Sequence, residues 1–438
     1  MIKQYYNRLI KDRTARSSLI NLIIKPLSLV LSLVYTPMLL NYLGSEKYGL
    51  WATILSITSW INYCDVGIGH GLRNLLAGQI AKNEMEEVKK SISTAYVCMT
   101  MIAGILLVIT ALASIFVNWN WVFNTTIDMT LTVILSFIFI CINFVLALSN
   151  TILYAMQKSE LVSVRSIMMQ GINIIGIFFL SKVSEGNLVL VSILFGAGTM
   201  ITYLLNTIRL LKEYAFFRPS LRLFEKKYIK SICNVGIKFF VIQIAVILMY
   251  TVDNLLISRY FGAEAVTPYS MINRIYTAGY GFFTAIMVPI WSASTAEIAK
   301  GNFKWFEKAI KKLNIVTLIF SIGYIVVGVL FVPLSEIWLG QRLDYPAGLL
   351  TVMVVYYILQ SIQNPYCQMN NVIGALNGQV ILGIVQGVVN VPLSIWLATS
   401  VGLGVVGIKL ATTILMGVGT IFQPIYYYRT ISNIKQRN

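Results

Sequence analysis

Twelve apolar runs, each long enough to cross a bilayer as a helix, follow one another with only short polar connectors between them. A spanning helix needs about 20 apolar residues. Such runs lie near 17–43, 48–72, 91–117, 129–156, 162–181 and 187–211, then near 231–258, 266–292, 313–334, 346–368, 379–400 and 404–428. Only 12% of the 438 residues are charged, about half the share a soluble domain carries. A water-facing surface cannot be covered from that inventory, so the expectation is an all-α integral membrane protein of about twelve transmembrane helices.

The net charge of +17 would point to nucleic acid in a soluble chain. In a membrane chain the position of the charges decides instead, and no nucleic-acid partner is expected. With the N-terminus placed in the cytoplasm, inner segments take 26 of the 34 Lys and Arg residues, while the outer loops hold only Lys47, Lys182, Arg259 and Arg342. That asymmetry predicts both termini inside. The five cysteines are odd in number and lack CxxC spacing, so neither a disulfide framework nor a metal site is indicated. The first apolar run, about 19–40, is too long for the core of a cleavable signal and is expected to stay as a helix.

The chain reads as a duplicated half. IAKNEMEEVKK at 80–90 resembles IAKGNFKWFEKAIKK at 298–312, and YLGSE at 42–46 resembles YFGAE at 260–264, both at an offset of 218. NLIIK at 21–25 matches NVGIK at 234–238, and MQGINI at 169–174 matches VQGVVNV at 385–391. Six spans per half make the two copies parallel, and internal repeats about a midplane site are a transporter signature. The expected division is a six-helix lobe at 1–211, a basic cytoplasmic linker at 212–230 containing Arg218, Arg222, Lys226, Lys227 and Lys230, and a second six-helix lobe at 231–438.

The stretch DVGIGHGLRNLLAGQIAK at 65–82 carries three alternating glycines, the single histidine and an arginine. Gly67, Gly69 and Gly71 follow a helix rather than a strand, so a dinucleotide-binding loop fails its context test. His70 stands without partner ligands, and no metal site is expected. The stretch reads as the cytoplasmic end of the second span running into an amphipathic connector, its small residues permitting close helix approach.

Ionisable groups inside spans are costly and mark function by default. Lys25 lies roughly 12 Å, and Asp65 roughly 10 Å, from the inner ends of their spans at 1.5 Å per residue; the two can pair. Lys238 occupies the repeat-equivalent position to Lys25. Nearer the outer side, Arg274 and Asp253 form an expected second pair, with Lys409 at similar depth. One reading is a cationic cavity in which Lys25 and Lys238 meet a diphosphate, with Arg73 at the inner mouth and Arg274 in the outer half. In the other, the lysines snorkel to head groups and the acids neutralise their neighbours. Asp65 and Asp253 are also candidate carriers of a coupled proton. Two polar stripes recur at helical spacing, Asn143, Asn150, Tyr154 and Gln157 on span 4 and Tyr356, Gln360, Gln363 and Asn364 on span 10. Of these, Asn150, Gln157, Gln360 and Asn364 are the candidate sugar-facing groups, though amides also bind helices to one another. Pro37, Pro289, Pro365 and Pro392 lie inside spans, where kinks are expected.

The segments NLIIKPLSLVLSLVYTPMLLNYLGSEKYGLW and DVGIGHGLRNLLAGQIAK, with their LGxxxYGLW and DxGIGxGLRN patterns, resemble the N-terminal signature of Wzx-type O-antigen flippases. These form part of the polysaccharide transporter branch of the multidrug/oligosaccharidyl-lipid/polysaccharide exporter superfamily. The resemblance implies a MATE-like V of two six-helix lobes in the bacterial inner membrane. It implies movement of undecaprenyl-diphosphate-linked O-antigen repeat units from the cytoplasmic to the periplasmic leaflet by alternating access, driven by a proton or ion gradient. Its partners would be that lipid-linked oligosaccharide, the bilayer and other polysaccharide assembly proteins, with no cofactor and no catalytic residue. A MATE-type drug or cation antiporter is the nearest rival, but it favours an acidic, aromatic cavity, whereas bases outnumber acids in these spans. A membrane polymerase or ligase would carry a large periplasmic loop, and the spacing of the spans leaves room for none.

Overall fold

The computed structural model describes residues 2–61, 68–229, 251–298, 303–375 and 377–437, with Ile244 and 247–249. The described residues are almost wholly helical, and eight of their helices are long and apolar enough to cross a membrane. The chain divides into two compact units, residues 1–243 and 244–438.

In the first unit, α1 (Ile2–Ile61) contains a break at Gly44, where φ is 75° and ψ 171°. That region of backbone space belongs essentially to glycine. The chain reverses there, as contacts with α7 (Ser159–Val183) and α8 (Leu188–Glu213) establish. Before the break, Ser28 meets Ser166 and Gln170 midway along α7, and the Tyr42 hydroxyl reaches Ser184 at its end (2.7 Å). After the break, Lys47 donates to the Gly186 carbonyl (2.6 Å) and the Trp51 ring packs on Phe195 of α8. One helix assignment therefore holds the first two expected spans. The third, fourth, fifth and sixth follow as α3 (Met85–Phe116), the nearly continuous α5 (Thr130–Leu146) and α6 (Leu148–Ala155), α7 and α8; the five-residue α4 (Trp119–Phe123) tops the α3–α5 connection.

The amphipathic connector expected after span 2 is α2 (Ile68–Ala81). Ile68, Leu72 and Leu76 recur every fourth residue and are buried against Val88, Ile92 and Ile152. Its Gln79 amide donates to Ser91 (3.0 Å), which fixes the connector to the start of α3. The expected linker is less free than its composition implies. Two 3₁₀ turns, Ala215–Phe217 and Leu221–Leu223, lead into a segment held on α3: Glu225 bridges Lys90 (2.9 Å) and Lys227 (3.0 Å), and Phe217 and Tyr228 are buried in the same cluster. The unit boundary thus falls beyond the basic segment. Elsewhere the helices wear apolar residues outward, Ile105, Val108 and Leu112 on α3 for example, as lipid-facing helices must.

The second unit repeats the device. α9 (Asp253–Phe261) ends at Gly262, with φ 87° and ψ 161°, and a 3₁₀ turn leads into α10 (Val266–Ile298). Gly44 and Gly262 stand at the 218-residue offset found in the sequence and adopt the same rare conformation. Four more helices follow: α11 (Phe303–Leu339), α12 (Leu349–Val372), α13 (Asn377–Ile395) and α14 (Gly404–Arg437). Of the twelve expected spans, ten lie in described helices; residues 62–67 of the second and most of the seventh lie outside the described residues. A π-helical turn, Trp396–Ser400, packs on α14 so closely that a Cβ on Gly407 would lie 2.7 Å from the Ala398 nitrogen. Pro37, Pro365 and Pro392 sit within continuous helices. Neighbouring helices re-satisfy what a membrane proline frees, so the only non-helical residue inside α1 is the glycine.

Candidate functional site: a buried ion pair and its polar shell

Asp253 opens α9, where the unpaired amides of a helix's first turn favour negative charge. Its carboxylate is 3% exposed, and its Oδ2 lies 3.5 Å from the Lys409 ammonium on α14, itself 3% exposed. A lone carboxylate or ammonium at such depth is prohibitively costly, and a pair survives only if the remaining lone pairs and protons find partners. The sequence supplies them from four helices. The Tyr269 hydroxyl of α10 donates to Oδ2 (2.5 Å), and the Thr412 hydroxyl, one turn beyond Lys409, faces Oδ1 at 3.5 Å. The same hydroxyl lies 3.2 Å from Asn390 Oδ1 on α13. With one proton to give, it serves one of the two oxygens at a time. The Asn390 amide nitrogen donates to the Leu248 carbonyl (2.8 Å) just ahead of Asp253. The ammonium lies 3.5 Å from the centre of the Tyr356 ring, a contact worth about 2 kcal/mol or more when desolvated.

A second polar layer continues along α10 and α12. The Tyr357 hydroxyl donates to Asn273 Oδ1 (2.8 Å) and lies 2.7 Å from Thr277, while its ring stacks on Tyr276. Asn364 donates to the Tyr280 hydroxyl (2.7 Å).

The expected partner of Asp253 was Arg274; the structure gives it Lys409 instead. Arg274 is half-buried on α10 with contacts of its own. The register explains the exchange, because Tyr269 lies at the start of α10, more than a turn before Arg274, and it is Tyr269 that faces the carboxylate. Lys238 and Asp65 lie outside the described residues, and of Lys25 only the backbone, within α1, is described; their pairing is therefore not on view. Arg73 is exposed on α2, its guanidinium 5.0 Å from the centre of the Tyr154 ring on α6.

The two stripes fare differently. Asn143 is buried and donates to the Gly196 carbonyl of α8 (3.2 Å), and the Gln363 side chain fills the space a Cβ on Gly419 of α14 would need. Both join helices. Gln157 does not share the face of Asn150: α6 ends at Ala155, and Gln157 sits beyond it in an exposed turn with φ 59°. Asn150 and Gln360 are half-buried, each with a buried amide oxygen that accepts no hydrogen bond. Sequence reasoning missed Tyr269, Asn390 and Thr412, because a hydroxyl or amide in a span gives no signal until a charge is found beside it. It also passed over Arg165, although that residue falls inside the expected fifth span at 162–181; it stands inside α7, its guanidinium 4.0 Å from the centre of the Tyr203 ring.

Solved structures of membrane transporters carry the fold that these long apolar helices build. Over 96% of this chain and 99% of the other, the fold matches an inward-facing multidrug resistance MATE family transporter of the MOP superfamily, with a TM-score of 0.79 at 15% identity. A MOP superfamily transporter from Pyrococcus furiosus, described as having a binding pocket of reversed polarity, matches over 96% of this chain and 97% of its own, with a TM-score of 0.66 at 16% identity. The family model described as polysaccharide biosynthesis protein matches residues 14–294, and the MatE model matches residues 239–396. The chain belongs to the polysaccharide biosynthesis protein family. A relative from Bacillus subtilis (strain 168), the uncharacterized membrane protein EpsK, is 22% identical over 411 residues, which is 92% of this chain and 81% of that protein.

Proposed function

We propose that the protein is a flippase that carries undecaprenyl-diphosphate-linked oligosaccharide repeat units, of the O-antigen type, from the cytoplasmic to the periplasmic leaflet of a bacterial inner membrane. The observation that carries the reading is membership of a polysaccharide biosynthesis family in a chain whose fold is that of a MOP superfamily transporter. Both termini lie in the cytoplasm, on the side that holds most of the lysines and arginines. Lys25, Lys238 and Arg274 meet the diphosphate, with Arg73 near the inner entrance. Asn150, Gln360 and Asn364 meet sugar hydroxyls, and Gln157 meets them only at the rim, given its exposed turn. Alternating access exposes the site to one leaflet and then the other.

Of the two candidate coupling acids, Asp253 is the one that lies among the described residues. Its charge is already balanced by Lys409 at 3.5 Å, so a proton or cation that drives transport must compete with a tethered ammonium. The test is leaflet exchange of a defined lipid-linked oligosaccharide in proteoliposomes, with and without an imposed pH gradient. Wild-type protein is expected to accelerate exchange over protein-free vesicles, and Arg274→Ala to slow it while inserting normally. No acceleration with any lipid-linked oligosaccharide, together with efflux of cationic dyes, would replace the flippase reading with that of a drug antiporter.

A further inference from the structure

Two arginines at the end of the first unit opposite Gly44 carry no carboxylate partner among the described residues. Arg73 of α2 lies over Tyr154 of α6, with 5.0 Å from Cζ to the ring centre, and Arg165 of α7 over Tyr203 of α8, with 4.0 Å. The four groups form one cluster, since Tyr154 is within electrostatic reach of both guanidiniums and of Tyr203. The local acid Glu213 is engaged elsewhere, by Lys158 at 2.9 Å. Among the described residues, the one hydrogen bond that Arg165 makes is long, 3.4 Å, to the Thr202 hydroxyl, and its Nε is buried without an acceptor there. One turn further along α8, the Asn206 amide nitrogen is a second buried donor without an acceptor.

Unpartnered donors beside two unneutralised cations call for an acceptor that brings several oxygens and negative charge. Each guanidinium rests on a tyrosine ring and Arg165 Nε has no acceptor, and a guanidinium's N–H groups suit phosphate oxygens. The helix surfaces flanking the cluster are apolar and exposed: Val164 and Met168 beside Arg165, Leu204 and Ile208 beside Tyr203. A phosphate attached to an alkyl chain fits that setting better than a free ion does.

We infer that Arg73 and Arg165, with Asn206, form a clamp for the phosphate or diphosphate head group of a lipid. The diphosphate form rests on the flippase reading; the bilayer phospholipid form does not. The test is native mass spectrometry of the detergent-purified protein titrated with undecaprenyl diphosphate, with phosphatidylglycerol and with undecaprenol, which lacks the phosphate. At least one phosphorylated lipid is expected to bind more tightly than undecaprenol. Arg165→Gln and Arg73→Gln should each weaken it about tenfold or more, as losing a charge-assisted hydrogen bond does, and Arg165→Lys should recover part of the loss. A loss confined to undecaprenyl diphosphate makes the clamp a subsite for transported lipid. A loss confined to phosphatidylglycerol makes it a bilayer-lipid site and leaves the flippase proposal to its own assay. Arg73 is exposed, so its glutamine variant reports even if Arg165→Gln unfolds. Wild-type affinity of the folded variants for both phosphorylated lipids would overturn the clamp.

Discussion

Neutralising Lys409 alone should destabilise the second unit far more than neutralising it together with Asp253. The two charges stand 3.5 Å apart at 3% exposure each, and at an effective dielectric constant of 20 their attraction is about 5 kcal/mol. Lys409→Met removes that attraction and leaves a carboxylate stranded among Tyr269, Thr412 and Asn390, with an expected cost of about 3–5 kcal/mol. Asp253→Asn strands the ammonium against the Tyr356 ring, at a similar cost. The double variant has no buried charge left, and replacing a buried pair with neutral groups is often neutral or favourable. For a unit of this size each kcal/mol moves the melting midpoint by about 2–4 °C, so the single variants should fall by roughly 6–20 °C while the double variant stays near wild type. Reversible unfolding in mixed micelles, run as a double-mutant cycle, reads the coupling directly. If the two single effects add to within about 0.5 kcal/mol in the double variant, the ion pair is not the element that holds α9 to α14.

Three further outcomes are expected. Gly407→Ala would place a methyl 2.7 Å from the backbone of Leu397 and Ala398 and should cost about 1–3 kcal/mol, whereas Gly417→Ala, whose methyl meets only Leu359 at an ordinary 3.8 Å, should melt with wild type. Gly44→Ala and Gly262→Ala meet no atom within 4 Å, yet each forces a side chain into a glycine-only backbone region and should cost about 1–3 kcal/mol, read as a lower melting midpoint. Glu225 lies outside the spans, and hydrogen bonds from Lys90 and then Lys227 hold its carboxyl below the usual range. A depressed acid stabilises above its unfolded value and loses that stabilisation as pH falls through the folded one. Protease access to residues 214–228 should therefore rise below about pH 4.3, the ordinary glutamate value, and Glu225→Gln should abolish that step.

The scarcity of charge and the twelve apolar runs were enough to read an all-helical membrane fold, because a bilayer admits few ways to satisfy a backbone. The likeness of YLGSE and YFGAE was legible in the sequence, and Gly44 and Gly262 within them each occupy a conformation no other residue adopts cheaply. Lys409 and Asp253 were visible as charges out of place. Their pairing was not, since a charge inside a span demands a partner without naming one; only the packing of α9, α10, α13 and α14 brought Tyr269, Asn390 and Thr412 around the pair and left Arg274 to other contacts. Likewise Arg165 fell inside the expected fifth span, but only the packing of α7 on α8 set it beside Tyr203. Hydropathy is a property of each segment and survives in one dimension, whereas the complementarity of polar groups belongs to faces of different helices, up to 159 residues apart here, and is settled only when they pack.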